Sequence, residues 1–318
     1  MEETPLYLFF GFMDSGKTTL VKETLFDNQF AKDLKSFVLI VCEDGDEEYS
    51  DTDIELVGGH IVRLLKQEEF NSKKLHEIDE KYHPEAVFVE YNGTWEVAPI
   101  YEEDAPESWT VVQALCTVDA NTFEMYMLNM RAMMQEQMFK ADVVIFNRCD
   151  DSTPKSKFRA NVKSINRRAQ IVYERADGTI DDREEELPFD INADVIEITD
   201  ADYALWFMDC MDNPKKYDGK IVSFLGLIYN PTEGAGQLKP GVYVPGRFAM
   251  TCCVEDIQFL GMKCKSPDSD KKKHKTWEKL TARVKYEFAK EYKGKGPVLY
   301  PISSEPAEKP EDELVYFS

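Results

Sequence analysis

The chain of 318 residues contains no apolar run that approaches the roughly 20 residues of a membrane-spanning helix. Its first residues are acidic and lead directly into an apolar segment, so we expect no secretory signal peptide. It also lacks internal repeats and low-complexity segments. With 43% hydrophobic and 12% aromatic residues, it has enough apolar side chains for a large core. These features predict a globular cytoplasmic protein with no membrane span.

Basic residues are fewer than acidic residues. The chain has 38 Lys and Arg residues and 60 Asp and Glu residues, so its net charge is -22. Such a chain has little reason to bind nucleic acid by releasing counterions, so nucleic acid is not an expected partner. The stretch from Lys263 to Lys295 is an exception, since it is locally basic. The simplest interpretation is a solvated loop, and binding of an acidic partner or of nucleic acid stays open.

Histidine is rare, with four residues, and the seven cysteines are an odd number in a chain without export signals. We therefore expect reduced thiols rather than a disulfide framework. Four cysteines lie among apolar or loop residues and are predicted to fill the core: Cys42, Cys116, Cys149 and Cys210.

The most informative segment is residues 11–18, Gly-Phe-Met-Asp-Ser-Gly-Lys-Thr, which matches the phosphate-binding pattern G-x-x-x-x-G-K-[ST] in full. Its two glycines allow close backbone approach to a phosphate, and the N–H groups of the loop and of the next helix point at the anion. Lys17 supplies a cation to the β and γ oxygens, and the Thr18 hydroxyl is suited to ligate magnesium. The predicted contacts to nucleotide are Gly11, Asp14, Ser15, Gly16, Lys17, Thr18 and Thr19.

The pattern of apolar runs predicts two domains. Up to about residue 200, strand-like runs alternate with helical stretches, which is typical of a mostly parallel sheet covered by helices. Beyond about residue 215 the runs are short and β-rich, and turns with Gly or Pro separate them, which favours a small OB-like barrel. We predict an α/β P-loop NTPase domain over 1–208, a linker over 209–218 and an all-β OB-like domain over 219–318.

Two predicted strands end in carboxylates that suit a nucleotide site. Val87-Phe88-Val89-Glu90 places Glu90 where it can hold magnesium, directly or through water, and Gly93 follows where a backbone N–H can approach the γ-phosphate. Glu43 follows an earlier strand and opens an acidic segment at the place of a first GTPase switch. Glu43 is a candidate for the metal shell or for positioning water, and a merely solvated acidic loop fits equally well. The predicted catalytic residues are Lys17, Thr18, Glu43 and Glu90.

A third strand ends in Asn147-Arg148-Cys149-Asp150. The carboxylate of Asp150 can accept two parallel hydrogen bonds from guanine, which adenine does not offer, so this site is predicted to prefer GTP. Arg148 stands where a lysine is more usual, and its stem can still cover the base. Asn147, Arg148 and Asp150 therefore complete the predicted nucleotide contacts.

These residues resemble the CobW-like GTPases, relatives of the HypB and UreG nickel-insertion GTPases, over roughly residues 5–175. The shared features are the phosphate loop extended to Leu20, Cys-Glu-x-Gly at 42–45, Glu-x-x-Gly at 90–93, Val118-Asp119-Ala120, Glu136-Gln137 with Ala141-Asp142, and the motif at 147–150. The resemblance implies slow magnesium-dependent GTP hydrolysis and delivery of a metal ion to client enzymes or cofactors. A client metalloprotein or a transporter is therefore an expected partner. One departure is clear, because the family's Gly-Cys-x-Cys-Cys motif corresponds to a stretch near Glu55–Arg63 without cysteine. His60 alone remains there, and a lone histidine is more often structural.

The C-terminal part carries Gly-Arg-Phe-x-Met-x-Cys-Cys at 246–253, which resembles the signature of the uncharacterised YcgQ-like family. Cys252 and Cys253, with Cys264 further on, offer thiols for a soft metal ion such as zinc or copper(I). Adjacent residues of a strand point to opposite faces, so these thiols converge only at a bulge or a strand end. An alternative with one core cysteine, one exposed cysteine and no metal is favoured by this alternation.

The sequence thus predicts a GTP-dependent switch or metallochaperone that binds GTP or GDP and magnesium. A second hypothesis is a regulatory or scaffolding protein that binds nucleotide with little turnover and uses its OB-like domain as a platform for a partner or nucleic acid. A third hypothesis is a kinase-like enzyme that uses ATP. The lack of an evident motif for a second substrate argues against it.

Overall fold

The computed structural model describes residues 3–27, 30–45, 48–102, 104–231, 238–250 and 257–317. Its contacts divide the chain into two compact units, one formed by 1–153 and 165–183 and the other by 154–164 and 184–318. The predicted boundary at 209–218 lies further along the chain. The difference arises from residues 184–208, where Trp206 packs at 5.1 Å ring to ring on Phe224 of the second unit.

The first unit is built on a seven-stranded sheet in which every neighbouring pair is parallel. Its strands are β1 Thr4–Phe10, β2 Phe37–Val41, β3 Gly59–Arg63, β4 Ala86–Glu90, β5 Trp109–Asp119, β6 Val143–Cys149 and β7 Gln170–Arg175. Their order across the sheet is β3-β2-β4-β1-β5-β6-β7. All five residues of both β2 and β4 are buried, as expected for central parallel strands covered on both faces. The predicted P-loop NTPase type of sheet is confirmed.

Short helices connect these strands. They are α1 Lys17–Lys22, α2 Asp51–Leu56, α3 Ser72–Tyr82, α4 Pro99–Glu102, α5 Phe123–Asn129, α6 Arg131–Phe139 and α7 Lys155–Ile165, and α8 Tyr203–Asp212 follows later in the chain. Apart from the last residue of α7, both α7 and α8 belong to the second unit. Helices α5 and α6 are separated at Met130, whose φ of -134° lies outside the helical range. Within the described part of the chain, no helix combines the length and the apolar character that crossing a membrane requires.

The second unit is a small β structure. Its strands are β8 Ile196–Glu197, β9 Ile221–Tyr229, β10 Val242–Met250, β11 Ile257–Gly261, β12 Cys264–Lys265, β13 Trp277–Ala289, β14 Gly294–Pro306 and β15 Leu314–Val315. Pairings of β9 with β13, β13 with β14, β14 with β12, β12 with β10 and β10 with β9 close a ring of five strands. The ring agrees with a small barrel, and its OB-like character stays a prediction.

The signature that begins with Gly246-Arg247-Phe248 contributes to the core of this barrel. Arg247 is fully buried, forms an ion pair with Asp200, donates to the carbonyl of Asp312 at 3.1 Å and lies 5.1 Å from the ring of Trp277. A Cβ at Gly246 would lie 2.5 Å from the carbonyl oxygen of Leu260. These two residues of the signature therefore have structural roles in the barrel.

Candidate nucleotide-binding site

The candidate site lies at the carboxyl ends of β1, β2, β4 and β6, which neighbour one another or flank β5 in the parallel sheet. The phosphate loop leaves β1 at Phe10 and enters α1 at Lys17. Gly11 and Gly16 have φ values of 134° and 93°, which glycine adopts readily and other residues do not. The loop geometry thus explains why the motif requires glycine at both ends.

Lys17 is buried in the loop. Its ammonium group donates to the carbonyl oxygens of Gly11 and Phe12, both at 2.8 Å, and forms an ion pair with Glu43 Oε2 at 2.6 Å. The side chains of Lys17 and Glu43 are only 2% and 6% exposed. The other carboxylate oxygen, Glu43 Oε1, is buried and has no hydrogen-bond partner among the described residues. The structure therefore places Glu43 directly at the phosphate loop.

Thr18 and Glu90, the two residues predicted to hold magnesium, are in direct contact. The Thr18 hydroxyl donates to Glu90 Oε1 at 2.6 Å, and the hydroxyl of Tyr49 donates to Glu90 Oε2. Glu90 is 3% exposed. Burial raises the pKa of this carboxyl above its usual value, against the lowering effect of the two hydroxyl donors and of nearby Lys17. The oxygens of Thr18 and Glu90 are hard ligands of the kind that magnesium prefers.

Gly93 touches the phosphate loop through its backbone. A Cβ at this position would lie 2.2 Å from the carbonyl oxygen of Gly11 and 2.6 Å from the Cα of Phe12. Only glycine fits at this separation without displacing one of the two segments. The segment after β4 therefore contacts the phosphate loop directly, and the approach of the Gly93 N–H to the γ-phosphate stays a prediction.

A cavity of about 180 Å³ lies over these groups, and a second of about 320 Å³ lies beside it. The first is lined by Met13, Asp14, Gly16, Lys17, Thr18, Thr19, Glu43, Gly45, Glu90 and Arg148. The second shares Gly16, Thr19 and Arg148 with the first and extends to Asn147 and the end of β7. The arrangement suits phosphates in the first cavity and a base in the second.

The end of β6 packs against the phosphate loop. Asn147 Nδ2 donates to the carbonyl of Ser15 at 2.6 Å, and its Oδ1 is buried without a partner among the described residues. Arg148 has a φ of 54°, pairs with Asp119 at 2.7 Å and donates to the carbonyl of Asp14 at 2.9 Å. These contacts attach two of the predicted base-site residues to the loop.

Asp150 differs from Asn147 and Arg148, the other predicted base contacts, because its carboxylate is hydrogen-bonded to a neighbouring residue outside the cavity. Its Oδ1 accepts from the N–H and the hydroxyl of Ser152, at 2.8 and 2.7 Å, and these bonds lower its pKa. It does not line the cavity, whereas Glu174 at the end of β7 does. Burial, and then the charge of Glu23, raises the pKa of Glu174. The recognition of guanine by Asp150 therefore stays a prediction.

The residues of the site fit a nucleoside triphosphate with magnesium. The unpartnered Glu43 Oε1 lies beside a buried cation, and Gly16 lines the same cavity as both residues. Thr18 and Glu90 bring two oxygens together at 2.6 Å. This donor set favours a hard cation over a soft one.

Several residues of the site were not predicted as site residues from the sequence, among them Gln137, which the sequence indicated only as part of the family resemblance. Gln137 is buried and accepts from the N–H of Gly11 at 3.3 Å, and the hydroxyls of Thr117 and Ser15 are 2.8 Å apart. The rule that ligands bind at the carboxyl ends of parallel strands would have found Thr117 and Glu174, because each lies at the end of a predicted strand. Tyr49 carries no such signal.

The stretch without cysteine is an edge strand. His60 lies on β3 and stacks on the ring of Tyr82 at 4.7 Å, which agrees with a structural histidine. Cys252 and Cys253 lie outside the described residues. Cys264 is buried, and burial raises the pKa of its thiol to about 12. In the part of the chain that the structure describes, no three metal-binding side chains come together.

Comparisons with known proteins agree with this architecture. The family model described as CobW/HypB/UreG, nucleotide-binding domain, matches residues 5–173, and the model described as DUF1980 C-terminal domain matches residues 174–317. A comparison with curated proteins found no match.

Among solved structures, the chain is similar to Zn(II)-bound YjiA GTPase from E. coli, with 21% identity and a TM-score of 0.44 over 57% of this chain and 60% of that chain. It is also similar to hydrogenase maturation factor HypB from Archaeoglobus fulgidus, with 18% identity and a TM-score of 0.37 over 55% of this chain and 82% of that chain. The chain thus spans about 60% of the YjiA structure that it matches.

Proposed function

The chain belongs to the CobW/HypB/UreG family of nucleotide-binding domains, and from this premise we propose that it is a GTP-binding protein with slow, magnesium-dependent GTP hydrolysis. The observation that carries the proposal is the buried cluster of Lys17, Glu43, Thr18 and Glu90 at the phosphate loop. All four residues line one cavity together with Gly16 of the loop. A cation, a hydroxyl and two carboxylates at this edge are the groups that phosphoryl transfer requires.

Lys17 and the loop amides bind the phosphates. In the structure the ammonium group of Lys17 is engaged by two carbonyls and Glu43. We expect the β and γ oxygens to take over from Glu43 when nucleotide binds, because a phosphate offers more negative charge to the same ammonium group. Lys17 then stabilises the negative charge that develops on the leaving phosphate.

Thr18 and Glu90 are proposed to hold magnesium, Glu90 either directly or through water. When bound, the ion neutralises charge on the β and γ oxygens. Glu90 is presented by the end of a fully buried strand, so its position does not depend on a mobile loop. Glu43, once released from Lys17, is the candidate that accepts a hydrogen bond from the attacking water, because its Oε1 has no other partner among the described residues.

Asn147, Arg148 and Asp150 are proposed to select guanine. Asn147 holds the loop and Arg148 lines both cavities. The Oδ2 atom of Asp150 makes no hydrogen bond to a described residue, while Oδ1 is held by Ser152. Rotation of this exposed side chain toward the cavity would present the carboxylate to the base.

Two measurements test this assignment. The purified chain with magnesium should bind GTP at least tenfold more tightly than ATP and should release phosphate from GTP, and Lys17→Ala should abolish both properties. Equal affinity for ATP and GTP would contradict guanine selection. Asp150→Asn provides a sharper test, because an amide N–H can donate to the second carbonyl of xanthine, so the preference should move from GTP to xanthosine triphosphate.

We further propose a role as a switch or metallochaperone in metal homeostasis, which membership of the family supports. The transported ion is then a substrate, and its site is not formed by the edge strand that carries His60. Cys252, Cys253 and Cys264 remain the candidate thiol ligands, with zinc as the first ion to examine. Metal analysis of the purified chain, before and after replacing Cys252 and Cys253 by serine, tests this role. Metal content that is indifferent to the change would contradict a thiol site.

A second candidate function is a binding platform on the barrel, with little nucleotide turnover. A groove of about 850 Å³ in the second unit includes Tyr286, and the ammonium groups of Lys215 and Lys295 lie 6.0 and 5.7 Å from its ring. Basic side chains around an aromatic ring are suited to an acidic partner. Tight GTP binding without phosphate release above background would favour this function over hydrolysis.

A further inference from the structure

Tyr49 belongs to the hydrophobic core of the first unit although it follows an acidic segment. Its side chain is 7% exposed and lies in one cluster with Val21 of α1, Val41 of β2 and Phe88 of β4. The ammonium group of Lys22 lies 5.7 Å from the ring centre. Packing on three sides fixes the direction in which the ring presents its hydroxyl.

The backbone around Tyr49 is anchored as well. Arg63 donates to the carbonyl of Tyr49 at 3.4 Å and pairs with Asp51 at 2.7 Å. The next residue, Ser50, is the N-cap of α2, and its hydroxyl accepts from the N–H of Asp53 at 3.2 Å. The position of the Tyr49 hydroxyl therefore follows from the fold and does not require nucleotide.

This hydroxyl donates to Glu90 Oε2, while Glu90 Oε1 accepts from Thr18 at 2.6 Å. Each oxygen of the carboxylate thus has its own donor, and the plane of the carboxylate is set by one group from the core and one from α1. A ligating carboxylate that accepts a hydrogen bond on its outer oxygen is held in orientation for the metal, and loss of such a partner typically weakens metal binding about 10- to 100-fold.

We propose that Tyr49 is a positioning residue for magnesium: its buried hydroxyl holds Glu90 Oε2 so that Oε1 and the Thr18 hydroxyl face the metal together. This inference rests on the proposed function, since it needs a magnesium-bound nucleotide. Tyr49 lines neither cavity of the site, so its proposed effect on the metal passes through Glu90.

The two carboxylates of the site have different partners. Glu43 is paired with Lys17, whereas Glu90 accepts a hydrogen bond from Tyr49. We expect nucleotide to separate the first pair, because the phosphates engage Lys17, and to leave the second pair in place.

The test is Tyr49→Phe, which keeps the ring in the core and removes only the hydroxyl. The magnesium concentration needed for half-maximal retention of GDP should rise about tenfold, while the affinity for GDP in EDTA stays within about twofold of the wild type. Tyr91→Phe is the matched control, because Tyr91 is fully buried and its hydroxyl donates to the carbonyl of Glu96 at 2.7 Å, away from the Glu90 carboxylate. This control should leave the magnesium dependence unchanged.

A double-mutant cycle separates positioning from a general loss of stability. In a Glu90→Gln background, Tyr49→Phe should change magnesium retention by less than about twofold, because the carboxylate it acts on is gone. Unchanged magnesium dependence in Tyr49→Phe, or an equal change in Tyr91→Phe, would overturn the inference. A wild type that binds GDP with no magnesium dependence would instead overturn the proposed function, so the two failures are distinguishable.

Discussion

The ion pair between Lys17 and Glu43 makes a definite prediction about nucleotide affinity. In the structure, the cation that should hold the phosphates is already neutralised by a carboxylate of the same chain. Binding of nucleotide must separate this pair and bring phosphate oxygens next to Glu43. Glu43→Gln removes the charge and keeps the shape, so it should strengthen nucleotide binding while it slows hydrolysis.

The geometry sets the size of the effect. The charged atoms are 2.6 Å apart, and the side chains are 2% and 6% exposed. Close pairs of this kind show coupling energies of roughly 1.5 to 7 kcal/mol. The phosphates replace most of what Lys17 loses, and the glutamine amide keeps a hydrogen bond, so we take a value at the low end. About 1.4 kcal/mol corresponds to a tenfold lower Kd for GDP.

The assay is calorimetric titration of GDP in EDTA, which keeps any contribution of Glu43 to the metal shell out of the measurement. Asp44→Asn is the matched control, because it removes the same charge from the exposed neighbouring residue and should change the Kd by less than about twofold. An unchanged or weaker affinity of Glu43→Gln for GDP in EDTA would refute the reasoning. A gain of equal size in Asp44→Asn would show that general charge, rather than the ion pair, sets the affinity.

Three further predictions concern the two units. Gly93→Ala would place a Cβ 2.2 Å from the phosphate-loop backbone and should lower nucleotide affinity by more than about tenfold with a stability loss of about 2 kcal/mol, whereas Gly294→Ala, whose Cβ would meet its nearest atom at 3.7 Å, should have little effect on titration or thermal unfolding. Arg247→Met should lower the free energy of unfolding in urea by about 2 kcal/mol, because it removes the hydrogen bonds of a buried guanidinium to the Asp200 carboxylate and to the carbonyl of Asp312, and the exposed Arg283→Met should cost much less. Burial raises the pKa of the Cys264 thiol to about 12, so the thiol keeps its proton and its alkylation, followed by mass spectrometry, should not increase from pH 7 to pH 9 until the protein is unfolded.

The parts of the site that the sequence predicted are those that depend on strand ends. The phosphate loop and Glu90 each follow a short apolar run, and such runs form the parallel strands whose carboxyl ends share one edge of the sheet. Glu43 was predicted in the same way, although its pairing with Lys17 was not. The partner that the Lys17 ammonium group takes depends on the conformations of nearby side chains. The spacing of residues along the sequence does not determine these conformations.

Other features depend on contacts between residues distant in sequence. Tyr49 sits at the end of an acidic segment, and only the packing of α1, β2 and β4 brings its hydroxyl to Glu90, 41 positions away. The stretch around His60 was compared with a cysteine motif and contains β3, which pairs with β2 and ends the strand order of the sheet. Residues 184–208 were predicted to belong to the first domain and lie in the second unit. Their aromatic side chains, Trp206 in particular, pack on the barrel.

The closure of the barrel has a consequence for how the second unit comes apart. The ring is completed by β12, which has two residues and aligns with β14 at a single position, Cys264 with Leu299. By contrast, β13 and β14 are each 13 residues long and pair along their length. We therefore expect the barrel to open first at this short strand, where amide protons should exchange fastest. The long β13–β14 hairpin should stay paired until global unfolding.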